Sequence, residues 1–76
     1  MNVNYRVRAG PADGGDDFIM ELFESLSDAQ QFYKELQDDS DGNVLAAMPF
    51  DTVRISMEEF VNGTWTYMSR KVVSLR

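Results

Sequence analysis

Three stretches of this sequence carry residue types that do chemistry in other settings, and each lacks the group that would complete it. Asp38-Asp39-Ser40-Asp41-Gly42-Asn43 has the acid-and-glycine spacing of a calcium loop. With Gly42 at the sixth loop position, Asp39 and Asp41 fall at the third and fifth. However, Gln37 stands first, and Met48 stands where the bidentate glutamate belongs, so the stretch reads as a solvated helix end. Gly10-Pro11-Ala12-Asp13-Gly14-Gly15 has glycines but no P-loop lysine, and its acids would repel phosphate. Glu58 and Glu59 are adjacent on an extended segment, so their carboxylates point to opposite faces and do not form an acid–base pair. Glu59 falls at the rim of a hairpin. Serines are present, but without a histidine no ordinary serine triad can be assembled. The chain has no cysteine, which removes thiolate chemistry and disulfides. Neither an enzyme, a cofactor nor a metal site is expected.

The formal charge of −6 is unevenly placed. Between Gly10 and Asp41 there are ten acids against Lys34, a balance of −9, whereas the rest carries six bases against three acids, a balance of +3. Phosphate contacts dominate nucleic-acid affinity, so direct nucleic-acid binding is not expected. An acidic surface suits a basic partner or simply keeps a small protein soluble. No apolar run approaches the roughly 20 residues of a membrane span, and no signal-peptide core follows the first methionine. A cytoplasmic location is the expectation, with no membrane contact.

Seventy-six residues is a single domain, 1–76. Val3, Tyr5, Val7 and Ala9 alternate with Asn4, Arg6 and Arg8, the pattern of a half-buried strand. Gly10 to Asp17 is a loop dense in turn formers. Phe18 to Leu26 reads as a second strand, with Phe18, Met20, Leu22 and Leu26 on one side and Ile19, Glu21 and Phe23 on the other. Ala29, Phe32, Tyr33 and Leu36 then recur at helical spacing over 27–39, with Ser27 and Gln30 as a capping box and Gly42 as the stop. Asp38 and Asp39 oppose the helix dipole, so the end should fray near Asp38. Asn43 to Asp51 is a packed connection. Thr52–Val61 and Thr64–Ser74 are strands joined by Asn62-Gly63, a strong hairpin signal. The reading is α+β: β-β-α-β-β, a four-stranded antiparallel sheet with one helix packed on one face.

A two-residue turn sets Val61 opposite Thr64, Phe60 opposite Trp65, Glu58 opposite Tyr67, Met57 opposite Met68 and Val53 opposite Val72. One face then holds Val53, Ile55, Met57, Val61, Met68 and Val72; the other holds Phe60, Trp65 and Tyr67. One helix covers only one side of such a sheet. If it takes the aliphatic side, Phe60, Trp65 and Tyr67, with Ile19 or Phe23, form an aromatic patch of the kind that marks interfaces. The alternatives are that 43–50 folds over this face, or that Phe60 and Trp65 only stabilise the hairpin.

In Glu24-Ser25-Leu26-Ser27-Asp28-Ala29 and Val61-Asn62-Gly63-Thr64-Trp65, within a chain this short, the sequence resembles small single-domain proteins encoded by phages and mobile elements, anti-CRISPR proteins among them. The resemblance is one of size, element order and turn style. It implies an inhibitor that occludes or imitates nucleic acid on a basic effector surface. Two functional expectations follow. In the first, a non-enzymatic protein docks the acidic face of its helix (Asp28, Glu35, Asp38, Asp39 and Asp41) on a basic, nucleic-acid-binding protein partner. In the second, a small homodimeric domain pairs through Phe60, Trp65 and Tyr67, and its acids are only solubilising.

Overall fold

The computed structural model describes residues 3–38 and 51–74. Strands β1 (Tyr5–Pro11) and β2 (Ile19–Phe23) are followed by helix α1 (Leu26–Gln37) and then by β3 (Thr52–Val61) and β4 (Thr64–Ser74). All neighbouring strands are antiparallel, in the order β2-β1-β3-β4, and the helix packs on one face. The α+β reading therefore holds. Residues 39–50, which include the calcium-like stretch after Asp38, the expected stop Gly42 and the 43–50 connection, lie outside the described residues.

The helix begins two residues earlier than the capping box suggests. Ser25 is the cap, with extended backbone and an Oγ that accepts the Asp28 N–H at 3.5 Å. Ser27 instead occupies the first turn, its hydroxyl 3.0 Å from that of Ser25. The cause is tertiary: β2 ends at Phe23, opposite Tyr5, so Leu26 enters the helix rather than extending the strand. Asp28 then sits in the first turn, where a negative charge favours the helix dipole. At the other end the Asp38 N–H closes on the carbonyl oxygens of Lys34 and Leu36. The helix thus stops where acids oppose the dipole, ahead of Gly42.

Ala29 and Leu36 are buried, and Phe32 and Tyr33 flank them, as the stripe requires. Burial pushes the Tyr33 phenol above its ordinary value. The stripe meets Val7 and Ala9 of β1 and Val53, Ile55 and Met57 of β3, the two central strands, with Tyr5, Phe18, Ile19, Phe23 and Val73 around them. The Phe23 and Phe32 rings pack with centroids 5.6 Å apart. Ile19 and Phe23 are thus on the covered side rather than in a patch on the other. Phe18 also joins the core rather than sharing a side with Met20 and Leu22.

The hairpin turns as the Asn-Gly pair dictates: both central residues have positive φ, 51° at Asn62 and 80° at Gly63. Val61 faces Thr64, Phe60 faces Trp65 and Glu58 faces Tyr67. Beyond that point the register departs from a regular ladder. A bulge between Met57 and Glu58 makes Met68 the extra residue, so Met57 faces Ser69, Arg54 faces Val72 and Val53 faces Val73. Side chains alternate along a strand, so one inserted residue exchanges the faces of everything that follows. Val73, rather than Val72, reaches the core, and Val72 and Met68 are exposed. Val61 is exposed as well, at the hairpin end.

Two measurements check this packing. Ile55→Ala should cost about 2–5 kcal/mol in urea unfolding, as expected of a fully buried side chain. Val73→Ala should cost more than Val72→Ala, which should stay within about 0.5 kcal/mol; the reverse order would mean an unbulged ladder.

Candidate functional site

The face of the sheet opposite α1 is set by the alternation of each strand. β1 contributes Arg6, Arg8 and Gly10; β3 contributes Arg54, Ser56, Glu58 and Phe60. Edge strand β2 adds Met20 and Leu22, and edge strand β4 adds Trp65, Tyr67, Arg70 and Val72. Read across the strands, the rows are Leu22–Arg6–Glu58–Tyr67, Met20–Arg8–Ser56–Arg70 and Gly10–Arg54–Val72, with Phe60–Trp65 at the hairpin end.

At the centre is a carboxylate. Glu58 is 3% exposed, although no described element packs over it. It is covered by arginines. Arg6 Nε donates to Glu58 Oε1 at 2.7 Å, and Arg8 Nε lies 2.8 Å from the same oxygen. Arg8 Nη2 reaches Glu58 Oε2 and the Tyr67 hydroxyl, each at 3.4 Å. Arg8 Nη1 donates to Asp17 Oδ2 at 3.0 Å, and Arg54 Nη2 donates to Asp17 Oδ1 at 2.5 Å. The chain of ion pairs Arg6–Glu58–Arg8–Asp17–Arg54 therefore runs over β1 and β3. It joins residues 6 to 58 through two carboxylates, each shared by two guanidiniums. Charge-assisted bonds of this kind are short and directional.

Aromatic rings hold the outer arginines. The Arg6 guanidinium lies 4.4 Å from the Trp65 ring centroid, and Trp65 packs against Phe60 at 5.0 Å. Arg70 lies 5.8 Å from the Tyr67 ring. Such contacts attract a cation to the ring face and fix its orientation. Met20, Leu22, Phe60, Tyr67 and Val72 are all exposed at the margin, Met20, Tyr67 and Val72 by more than half. Four arginines against Asp17 and Glu58 leave the face with two positive charges in excess.

Gly10 makes the loop side of the network possible. A Cβ there would stand 2.7 Å from Asp17 Oδ1 and 3.1 Å from Asp17 Cα, so Asp17 would have to shift away from β1 to admit it. The expected turn character holds at Gly14, whose φ is +100°, but Gly10 and Pro11 pair with Arg54 and Val53 as the end of β1, so the loop begins at Ala12 rather than at Gly10.

The aromatic residues singled out from the sequence, Phe60, Trp65 and Tyr67, come together on this face. Among the described residues, the acidic ones do not form a comparable arrangement. Asp28, Glu35 and Asp38 are exposed on α1, with Glu35 accepting from the Gln31 side chain at 3.3 Å, and Asp39 and Asp41 lie outside the described residues. Glu58 and Glu59 do point to opposite faces, but it is Glu58 that is buried. The arginine network escaped sequence reasoning because Arg6 and Arg8 read as the solvated side of a strand. Their period-two spacing matches that of Arg54, Ser56 and Glu58, but only the β1–β3 register brings the two sets together.

No protein family, characterised protein or solved structure matches the chain.

Removing the shared carboxylate leaves two guanidiniums facing each other, so Glu58→Gln should destabilise by about 3 kcal/mol in denaturant unfolding. An effect below half that size would mean the arginines find solvent instead. Gly10→Ala should cost about 1–3 kcal/mol by forcing Asp17 off Arg54. Asp17→Asn in the same background should then cost less than it does in the parent, which a double-mutant cycle reads directly.

Proposed function

We propose that this chain is a cytoplasmic, non-enzymatic interaction protein that docks on a protein partner through the open face of its sheet. The observation carrying this reading is the make-up of that face: Trp65, Tyr67, Phe60, Met20 and four arginines, with Glu58 buried under the arginines. Aromatic residues, methionine and arginine are the types enriched at protein interfaces, and Trp, Tyr and Arg dominate their binding energy. The ion pairs and ring contacts hold the arginines in place before any partner arrives, which lowers the ordering cost of binding. Face-to-face pairing of two copies would oppose two cationic centres, so a different protein suits the surface better than a symmetric homodimer does.

A second reading keeps the acidic helix side as the docking surface. Asp28, Glu35 and Asp38 are exposed and, among the described residues, free of ion pairs, with Lys34 the helix's one base. This is the surface a phage-encoded inhibitor of the anti-CRISPR type would turn toward a basic, nucleic-acid-binding effector.

Paired variants separate the two readings. Affinity capture from the native cell is expected to lose its partner with Tyr67→Glu and keep it with Asp28→Lys/Glu35→Lys. The opposite pattern, together with binding abolished by half-molar salt, would transfer the function to the helix. Light scattering should give a monomer at high micromolar concentration; a dimer dispersed by Tyr67→Glu would favour the homodimer.

A further inference from the structure

Resting on the reading that the open face is the docking surface, we propose that its occupant is an acidic segment of the partner protein. One carboxylate of that segment pairs with Arg70, and its apolar neighbours lie over Tyr67 and Val72 on one side and Met20 and Leu22 on the other.

Positive charge is left over on this face. Arg6 and Arg8 share Glu58, and Arg8 and Arg54 share Asp17. Arg70 is the guanidinium of this face that has no carboxylate among the described residues; it rests on the Tyr67 ring. Beside it in the same row is Ser56, completely buried, whose Oγ has no hydrogen-bond partner. Arg8 lies on the far side of Ser56. Arg54 Nε is also buried without a partner, one row away. With no carboxylate of its own among the described residues, exposed Arg70 is the charged donor of this face still open to an acceptor that arrives from outside. Adjacent strands are about 4.8 Å apart, so one carboxylate over Ser56 is within reach of guanidiniums on either side.

The same charges argue against a polyanion. The chain carries −6, and the exposed acids of α1 lie beyond the other side of the sheet. A Debye length of about 8 Å at physiological salt screens part of their repulsion. What remains is small for one or two carboxylates. It grows with every phosphate of a nucleic acid, whereas the local excess of two positive charges does not.

The test is selection of random peptides on the immobilised full-length chain, followed by titration of the enriched peptides while the emission of Trp65, the single tryptophan, is recorded. Enriched peptides should carry Asp or Glu beside an apolar residue and should alter Trp65 emission. They should lose at least about tenfold in affinity with Arg70→Gln or with Glu→Gln in the peptide, and Arg70→Lys should recover part of the loss. Arg70 is exposed, so the urea midpoint of Arg70→Gln should match the parent. Peptides without acids that still bind, and still depend on Tyr67, would overturn the acidic occupant while leaving the docking face standing. Peptides indifferent to Tyr67→Ala that leave Trp65 emission unchanged would overturn both. A selection that enriches nothing would overturn the acidic segment. A short single-stranded oligothymidylate that shifts Trp65 emission and depends on Arg70 would replace it with nucleic acid. A dimer that Arg70→Gln dissolves would replace it with a second copy.

Discussion

The open face depends on one buried carboxylate. Glu58 sits on a central strand, on the side of the sheet where no described element covers it, and it is nonetheless almost without solvent contact. Arg6 and Arg8 supply both the cover and the compensating charge. Desolvating a carboxylate costs several kcal/mol unless it is paired and hydrogen-bonded. Two guanidiniums on one acid therefore form a bridge that β1 and β3 cannot relinquish separately. Because Arg6 and Arg8 are held there, Trp65 and Tyr67 acquire fixed cationic neighbours, and Asp17 has a target for the loop it ends.

That bridge divides the sheet into two surfaces of different character. Toward α1 the contacts are aliphatic and aromatic, built on Val7, Ala9, Val53, Ile55 and Met57. Away from α1 the same two strands carry ionic groups that tile their own surface. A domain of this size has little core to spare, and a single helix can shield only one side. An ion-pair layer with long aliphatic stems is a way to cover the other side without a second helix, since arginine buries its methylenes while its head stays hydrogen-bonded. The apolar and aromatic groups displaced to the margin are what give the face its interface composition.

The bulge in β4 distributes residues between these surfaces. A regular hairpin would have put Val72 in the core and Val73 in water, and Arg70 on the helix side. The extra residue at Met68 reverses all three. Arg70 thereby reaches the row of Ser56 and Arg8, where it adds to the positive excess. A local backbone irregularity thus decides a charge at a distance, because period-two alternation transmits a one-residue shift along the whole strand.

The sequence by itself determined the element order, the apolar stripe of the helix, the Asn-Gly turn and the hairpin pairing on the turn side of the bulge. These follow from local periodicity and turn stereochemistry, which act over a few residues. It also placed Phe60, Trp65 and Tyr67 on a common face, because they lie on the turn side of the bulge. Only the tertiary structure decided the rest. The early helix start at Ser25 follows from where β1 releases β2, and the exchange of Val72 for Val73 follows from a bulge that leaves no mark in hydrophobic pattern. The union of Arg6, Arg8, Asp17, Arg54 and Glu58 needs strands distant in sequence to pair in one register. Charges spaced for solvent become a partly buried network only when another strand sets its carboxylate between them.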